Sequence, residues 1–214
     1  MPDQPPRILV LAGTNGAGKS SIGGAFLRRS GGAYFNPDEI ASAMRVADPS
    51  LDAATANGRA WAVGRRFLEE AVRDRRDFAF ETTLGGSTIT GLLVAAARRG
   101  FEVRIWYAGL ATPELHVARV AARVRRGGHD IPEETIRRRY DRSRRNLITL
   151  LPYATELRVH DNSAESDPAT GHAPRPTLVL HVRRSMIVAP RDLTSTPAWA
   201  RPIVAAARNL ARSA

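Results

Sequence analysis

Apolar residues along this chain come in two patterns that take turns. Short unbroken runs mark buried strands, and runs with a spacing of three and four mark helices. Residues 7–12 (RILVLA) form the first strand-like run. Residues 20–29 follow as a helix, with Ile22, Phe26 and Leu27 apolar and Gly31-Gly32 as its stop. A short second strand spans 33–36, and Pro37 then suits the first turn of a helix. Residues 52–76 carry Ala60, Trp61, Val63, Phe67, Leu68, Ala71 and Val72 at helical spacing. A third strand at 77–81, a helix at 88–99 closed by Gly100, and a fourth strand at 101–108 continue the alternation.

A helix at 113–126 has Leu115, Val117, Val120 and Val124 as its apolar members, and Gly127-Gly128-His129-Asp130 breaks it. Another runs over 132–150. A fifth strand at 156–160, a Ser/Pro/Gly-rich loop at 163–176, a strand at 177–182 and a helix at 197–212 complete the chain. Such alternation predicts an α/β fold, a P-loop kinase-like parallel sheet with helices on both faces. The expected organisation is a flexible stretch at 1–6 and a core at 7–163. A mobile loop, one or more additional strands and a terminal helix of the same domain then occupy 164–214.

The first strand and first helix flank Gly13-Thr14-Asn15-Gly16-Ala17-Gly18-Lys19-Ser20, a complete G-x-x-x-x-G-K-S/T phosphate-binding loop. Its glycines let backbone N–H groups approach phosphate. Lys19 is the chain's single lysine, and every other strong cation among the 32 Lys and Arg residues is arginine. An arginine-rich coding bias explains the arginines but not the place of the exception. A compact ammonium on a flexible stem fits a phosphate cradle, and a planar guanidinium crowds it. Gly13 to Ser21 are the expected nucleoside triphosphate contacts, with Ser20 offering its hydroxyl to Mg²⁺.

Composition removes several classes. With 0 cysteines there is no disulfide, thiolate metal site or cysteine nucleophile, and the 5 histidines show no metal-ligand spacing. The N-terminal residues lack a signal peptide's apolar stretch, and no segment is long and apolar enough to span a membrane. The expected setting is the cytoplasm, with no membrane partner. The net charge of +11 raises the question of nucleic acid. The charge is spread along the chain without interleaved aromatics, so a cationic nucleotide cleft is the expected use.

Phosphoryl transfer also needs a carboxylate for the acceptor's proton and positive charge on the moving group. Ligands in such sheets sit beyond the strands' carboxyl ends. Asp38 follows the second strand there and is the candidate base, the competing role being a helix cap or first-turn acid. Glu81, Thr82 and Thr83 follow the third strand. Arg119, Arg123 and Arg126 share one face of their helix, while Arg125 points elsewhere. The Gly127-Gly128 pair after them predicts a lid hinge. No apolar run ends in Asp-Glu, which favours a small-molecule kinase over a mechanochemical ATPase. The residues alone leave open a kinase with another acceptor, such as an antibiotic, a dinucleotide or a nucleic-acid end. They also leave open a non-catalytic nucleotide-binding module.

Four segments together resemble the zeta-toxin family of P-loop kinases. They are GTNGAGKSS (13–21), YFNPDEIA (34–41), FAFETTLGG (78–86) and RVRRGGHDIPEETIRRRYDRSRRNL (123–147). The resemblance implies ATP or GTP with Mg²⁺ as donor, and a sugar hydroxyl of UDP-N-acetylglucosamine as acceptor. By position, Lys19 matches that family's phosphate lysine, Ser20 its magnesium hydroxyl and Asp38 its general base. Glu81 and Thr83 match its acceptor-contacting Glu-x-Thr pair. Arg123 matches its first γ-phosphate arginine, with Arg119 or Arg126 able to serve after a one-turn shift. Three features depart from that family. Its second lid arginine falls near His129 here, with Arg126 as substitute. Thr82 replaces its glycine, and the segment between strands two and three is shorter. If the chain is a toxin, the resemblance implies a small helical antitoxin over the nucleotide site.

Overall fold

The computed structural model describes residues 4–19, 22–23, 34–164 and 175–213. The expected helix at 20–29, with Ser20 and Ser21, lies almost wholly outside these residues, as does most of the loop at 163–176. Seven strands form one sheet: β1 (Arg7–Ala12), β2 (Tyr34–Phe35), β3 (Phe78–Thr82), β4 (Glu102–Gly109), β5 (Glu156–Asp161), β6 (Thr177–Arg183) and β7 (Met186–Ala189). Their order is β2-β3-β1-β4-β5-β6-β7. The helices are α1 (Pro37–Ala47), α2 (Ala53–Arg73), α3 (Ser87–Arg98), α4 (Pro113–Val124), α5 (Glu133–Leu150) and α6 (Arg201–Ser213).

Pairing is parallel from β2 through β5. The expected parallel sheet carries an antiparallel extension at its far edge, where β6 and β7 run antiparallel. β7 is the short apolar run MIVA, but the turn before it carries no hairpin signal. Its hairpin turns through Arg184 and Ser185, both at positive φ (46° and 66°). That is the geometry of a tight hairpin, usually announced by Asn-Gly rather than Arg-Ser.

Alternate residues of the strands divide the sheet. Ile8, Val10, Phe78, Phe80, Val103, Ile105, Leu157 and Val159 enter the main core with α2, α3, α5 and α6. The opposite face packs Leu9, Leu11, Ala79, Tyr34 and Trp106 against Ile22. The terminal segment joins the main core through Trp199, Ile203 and Val204. There a Cβ on Gly109 would lie 2.2 Å from the Trp199 ring.

Helix ends explain where the boundaries shift. Asp52 caps α2 by accepting the Thr55 N–H at 2.9 Å. The helix ends at Arg73 rather than 76 because Arg75 turns left-handed (φ 52°) and the Arg76 N–H closes back on the Ala71 carbonyl. Gly127 (φ 83°) ends α4 in the same way, with Gly127 and Gly128 donating to the carbonyls of Val124 and Arg123. The two glycines thus close a helix in a Schellman turn, a specific job beyond the expected hinge.

Candidate functional site

The phosphate-binding loop leaves the carboxyl end of β1 with Gly13, Gly16 and Gly18 all at positive φ. A Cβ on Gly13 would fall 2.3 Å from the Ala108 carbonyl oxygen, and one on Gly16 2.7 Å from that of His116. Glycine is therefore required by both conformation and space.

Neighbouring elements hold this loop from several sides. The Gly13 N–H donates to the Thr82 carbonyl at 3.2 Å. Asn162, just past β5, donates to the Ala17 carbonyl at 2.9 Å. On α4, His116 Nδ1 lies 2.8 Å from the Asn15 carbonyl. Burial pushes the His116 pKa down to about 4, so the ring is neutral at pH 7 and donates its Nδ1–H. On α5, Arg139 Nη1 donates to Asn15 Oδ1 at 2.8 Å.

Lys19 is buried, its Nζ donating to the Gly13 carbonyl at 3.0 Å and lying 3.4 Å from Glu81 Oε1. Tyr34 on β2 donates its hydroxyl to the other Glu81 oxygen at 2.8 Å. Glu81 thus stands at the root of the loop. Thr83 follows it, with Oγ1 accepting the Gly85 N–H at 3.3 Å. Leu84 is buried at φ 51°, an uncommon angle for a bulky residue. Asn146 of α5 secures it by donating to the carbonyls of Leu84 and Gly86, at 2.6 and 3.1 Å.

Asp38 does not cap its helix. Asn36 does, accepting the Asp38 N–H at 3.0 Å, and Pro37 fills the first helical position. The Asp38 carboxylate is left half-exposed, 3.9 Å from Arg123 Nη1. Arg123 Nη2 donates to the His129 carbonyl at 2.8 Å. Asn57 of α2 reaches the His129 ring from the other side, Nδ2 to Nε2 at 2.7 Å. Arg119, Ala122, Arg123, Arg126 and Gly128 line a groove of about 350 Å³. The three expected arginines therefore share a face, and Arg125 is absent from it. Arg119 Nη2 also donates to the Ala164 carbonyl at 3.1 Å.

Arg139, His116 and Asn162 grip the phosphate loop, yet sequence reasoning did not single them out. A signal existed for two of them. His116 and Arg139 fall on or beside the apolar stripes of α4 and α5, next to the buried Val120, Ile136 and Tyr140. Burial lowers the Arg139 pKa, and the Asp38 carboxylate opposes that shift, so the guanidinium lies within the field of the candidate base. Among the described residues no group of three or more His, Asp or Glu could hold a metal, and no helix is long and apolar enough to cross a membrane. A P-loop cation rests on one hydroxyl and the nucleotide's own phosphates. The expected hydroxyl, that of Ser20, lies outside the described residues.

Comparison with known proteins adds the family. Residues 8–146 match the AAA domain family. An uncharacterised protein of Haemophilus influenzae is 31% identical over 134 residues, which is 63% of this chain and 92% of that one. Among solved structures, the fold resembles AvrRxo1-ORF1 in its complex with AvrRxo1-ORF2 and ATP. The TM-score is 0.64 with 15% identity, over 86% of this chain and 60% of that one. The chain therefore spans less than two thirds of that chain's length. It also resembles a structure of the PezAT toxin–antitoxin system of Streptococcus pneumoniae, with a TM-score of 0.55 and 17% identity, over 74% of this chain and 69% of that one. With its phosphate loop on β1 of a mostly parallel sheet, the chain belongs to the AAA domain family and has a P-loop kinase-like fold.

Proposed function

We propose that this protein is an ATP- or GTP-dependent small-molecule kinase that moves the γ-phosphoryl group to a hydroxyl of a nucleotide sugar such as UDP-N-acetylglucosamine. The observation that carries this reading is the pairing of Asp38 with Arg123 at 3.9 Å, in a site that also holds Lys19 on a complete phosphate loop. A carboxylate beside a cation is what in-line transfer to a hydroxyl uses.

In this mechanism backbone N–H groups from within Thr14 to Lys19 bind the β-phosphate, the Gly13 N–H being held by Thr82, and the Lys19 ammonium bridges the β- and γ-phosphates. Ser20 would help hold Mg²⁺, which would supply charge neutralisation on the transferring group. Asp38 accepts the proton of the attacking hydroxyl. Arg123 stabilises charge on the γ-phosphoryl oxygens, with Arg126 on the same face as the second cation. Arg139, anchored on Asn15, adds positive charge from the far side. Glu81 and Thr83 contact the acceptor, and Glu81 also orients Lys19. The resemblance of fold to AvrRxo1-ORF1 with ATP supports the donor. The resemblance to the PezAT structure supports the further reading that a small helical antitoxin covers the site.

The test is transfer from γ-labelled ATP and GTP to a panel of nucleotide sugars, aminoglycosides, dinucleotides and nucleic-acid ends. A labelled nucleotide sugar that vanishes with Asp38→Asn supports the proposal. Label on another acceptor replaces the substrate and keeps the chemistry. Nucleotide binding with no transfer to any acceptor sinks it in favour of a binding module.

A further inference from the structure

We propose that Asn57 and His129 are positioning residues that fasten the α4–α5 loop to α2 and so hold Arg123 against Asp38. This inference rests on the kinase reading above. Asn57 and His129 are 72 positions apart in sequence, yet the Asn57 amide lies 2.7 Å from His129 Nε2. An amide NH₂ donates, so the ring accepts at Nε2 and carries its proton on Nδ1. The same residue's carbonyl accepts from Arg123 Nη2 at 2.8 Å. One residue thus takes a bond from α2 through its ring and a bond from the arginine through its backbone.

The arginine needs such a hold. Its Nε is buried and has no hydrogen-bond partner. An unsatisfied buried donor is costly, and an unrestrained side chain would swing out to water. The loop also packs on its stem, since a Cβ on Gly128 would lie 2.5 Å from Arg123 Cγ. On the other side of the cleft, Asp38 and Asn57 belong to one unit. Ala41 of α1 packs with Ala56 and Ala60 of α2. Fastening His129 to α2 therefore fixes the distance between the arginine and the carboxylate. His129 stands near the place where an arginine was expected, and here it grips α2 in the side chain's stead.

The experiment combines steady-state kinetics with ¹⁵N NMR of His129 in the full chain. Asn57→Ala should lower kcat about tenfold, the scale of one neutral hydrogen bond, with little change in the KM for ATP. His129→Ala should match it, and His129→Gln, whose amide oxygen can accept from Asn57, should recover most of the loss. Asn57→Ala combined with Arg123→Ala should be no slower than Arg123→Ala alone, because both act through one guanidinium. His129 should be protonated on Nδ1 in the wild type and shift toward the Nε2 form in Asn57→Ala. Additive losses in the double variant, or a His129 ring signal that is the same in the wild type and in Asn57→Ala, overturn the inference. Absence of phosphoryl transfer in the wild type would instead fail the kinase reading, and the NMR result still decides the latch.

Discussion

Lys19 Nζ stands 3.4 Å from Glu81 Oε1, with the two side chains only 8% and 12% exposed. The lysine's other fixed partner is the Gly13 carbonyl, and the glutamate's is the Tyr34 hydroxyl. The ammonium is thus aimed from below by a carboxylate and keeps N–H capacity for a phosphate.

A guanidinium cannot occupy that place without displacing the Gly13 carbonyl or Glu81. Lys19→Arg is therefore expected to lose phosphoryl transfer by at least about 10²-fold, the scale of removing a well-aimed electrostatic contact. Near-normal kcat in Lys19→Arg, with a wild-type circular dichroism spectrum, would refute the size argument. Glu81→Gln keeps an acceptor for Tyr34 but removes the charge. It should raise the acceptor's KM while leaving nucleotide affinity the same or tighter, as isothermal titration would show.

Asp38 and Asn36 divide two tasks that the sequence left undivided. Asn36→Ala should cost about 1 kcal/mol of stability through the lost cap and little activity. Asp38→Asn should do the reverse, keeping ATP binding and the melting temperature while cutting kcat by about 10²–10⁴. A thermal melt beside a rate measurement separates the two. If Asp38→Asn turns over normally, Asp38 is a first-turn acid and no base.

The arginines on α4 make an internal control for each other. Arg123→Ala should lower kcat by about 10³, as loss of a γ-phosphate arginine does, and Arg126→Ala or Arg119→Ala less. Arg125 is exposed and outside the groove, so Arg125→Ala should stay within about twofold of wild type. Arg139→Ala should mainly weaken nucleotide binding, since its contact is with Asn15 of the phosphate loop. Hydrogen exchange over 119–132 should slow when a non-hydrolysable ATP analogue and Mg²⁺ are added. Unchanged exchange there would argue against closure of the α4–α5 loop.

The phosphate loop was legible because its information is local. Eight consecutive residues specify the turn, and the flanking runs specify strand and helix. The parallel strands were legible from local signals too, β1 and β3 as short apolar runs and β4 and β5 as alternating ones. What stayed hidden acts through space or through unusual backbone. Arg139 reaches Asn15 across 124 positions and His116 reaches it across 101. No spacing rule links residues so far apart. The left-handed turns at Arg75 and at Arg184-Ser185 use residues that do not advertise positive φ, so the helical pattern overruns the end of α2 and the β6–β7 hairpin carries no turn signal.

His116 gives the fold a pH dependence with a definite sign. Its folded pKa is about 4, below the ordinary value of 6.5, because burial opposes charging and Lys19 repels the proton. The unfolded chain therefore binds the proton more tightly than the folded one. Stability from the neutral ring is fully present above pH 6.5, declines as pH falls, and levels off below about 4. The difference corresponds to roughly 3 kcal/mol. His160, also held below its usual range by burial, adds in the same direction. His116→Asn keeps a side-chain amide donor that does not titrate. Urea melts from pH 7 to 4 should show a steep loss for the wild type and a shallower one for His116→Asn. Equal slopes would mean that the ring is not buried as a neutral donor, and that the phosphate loop is held by Arg139 and Asn162 without it.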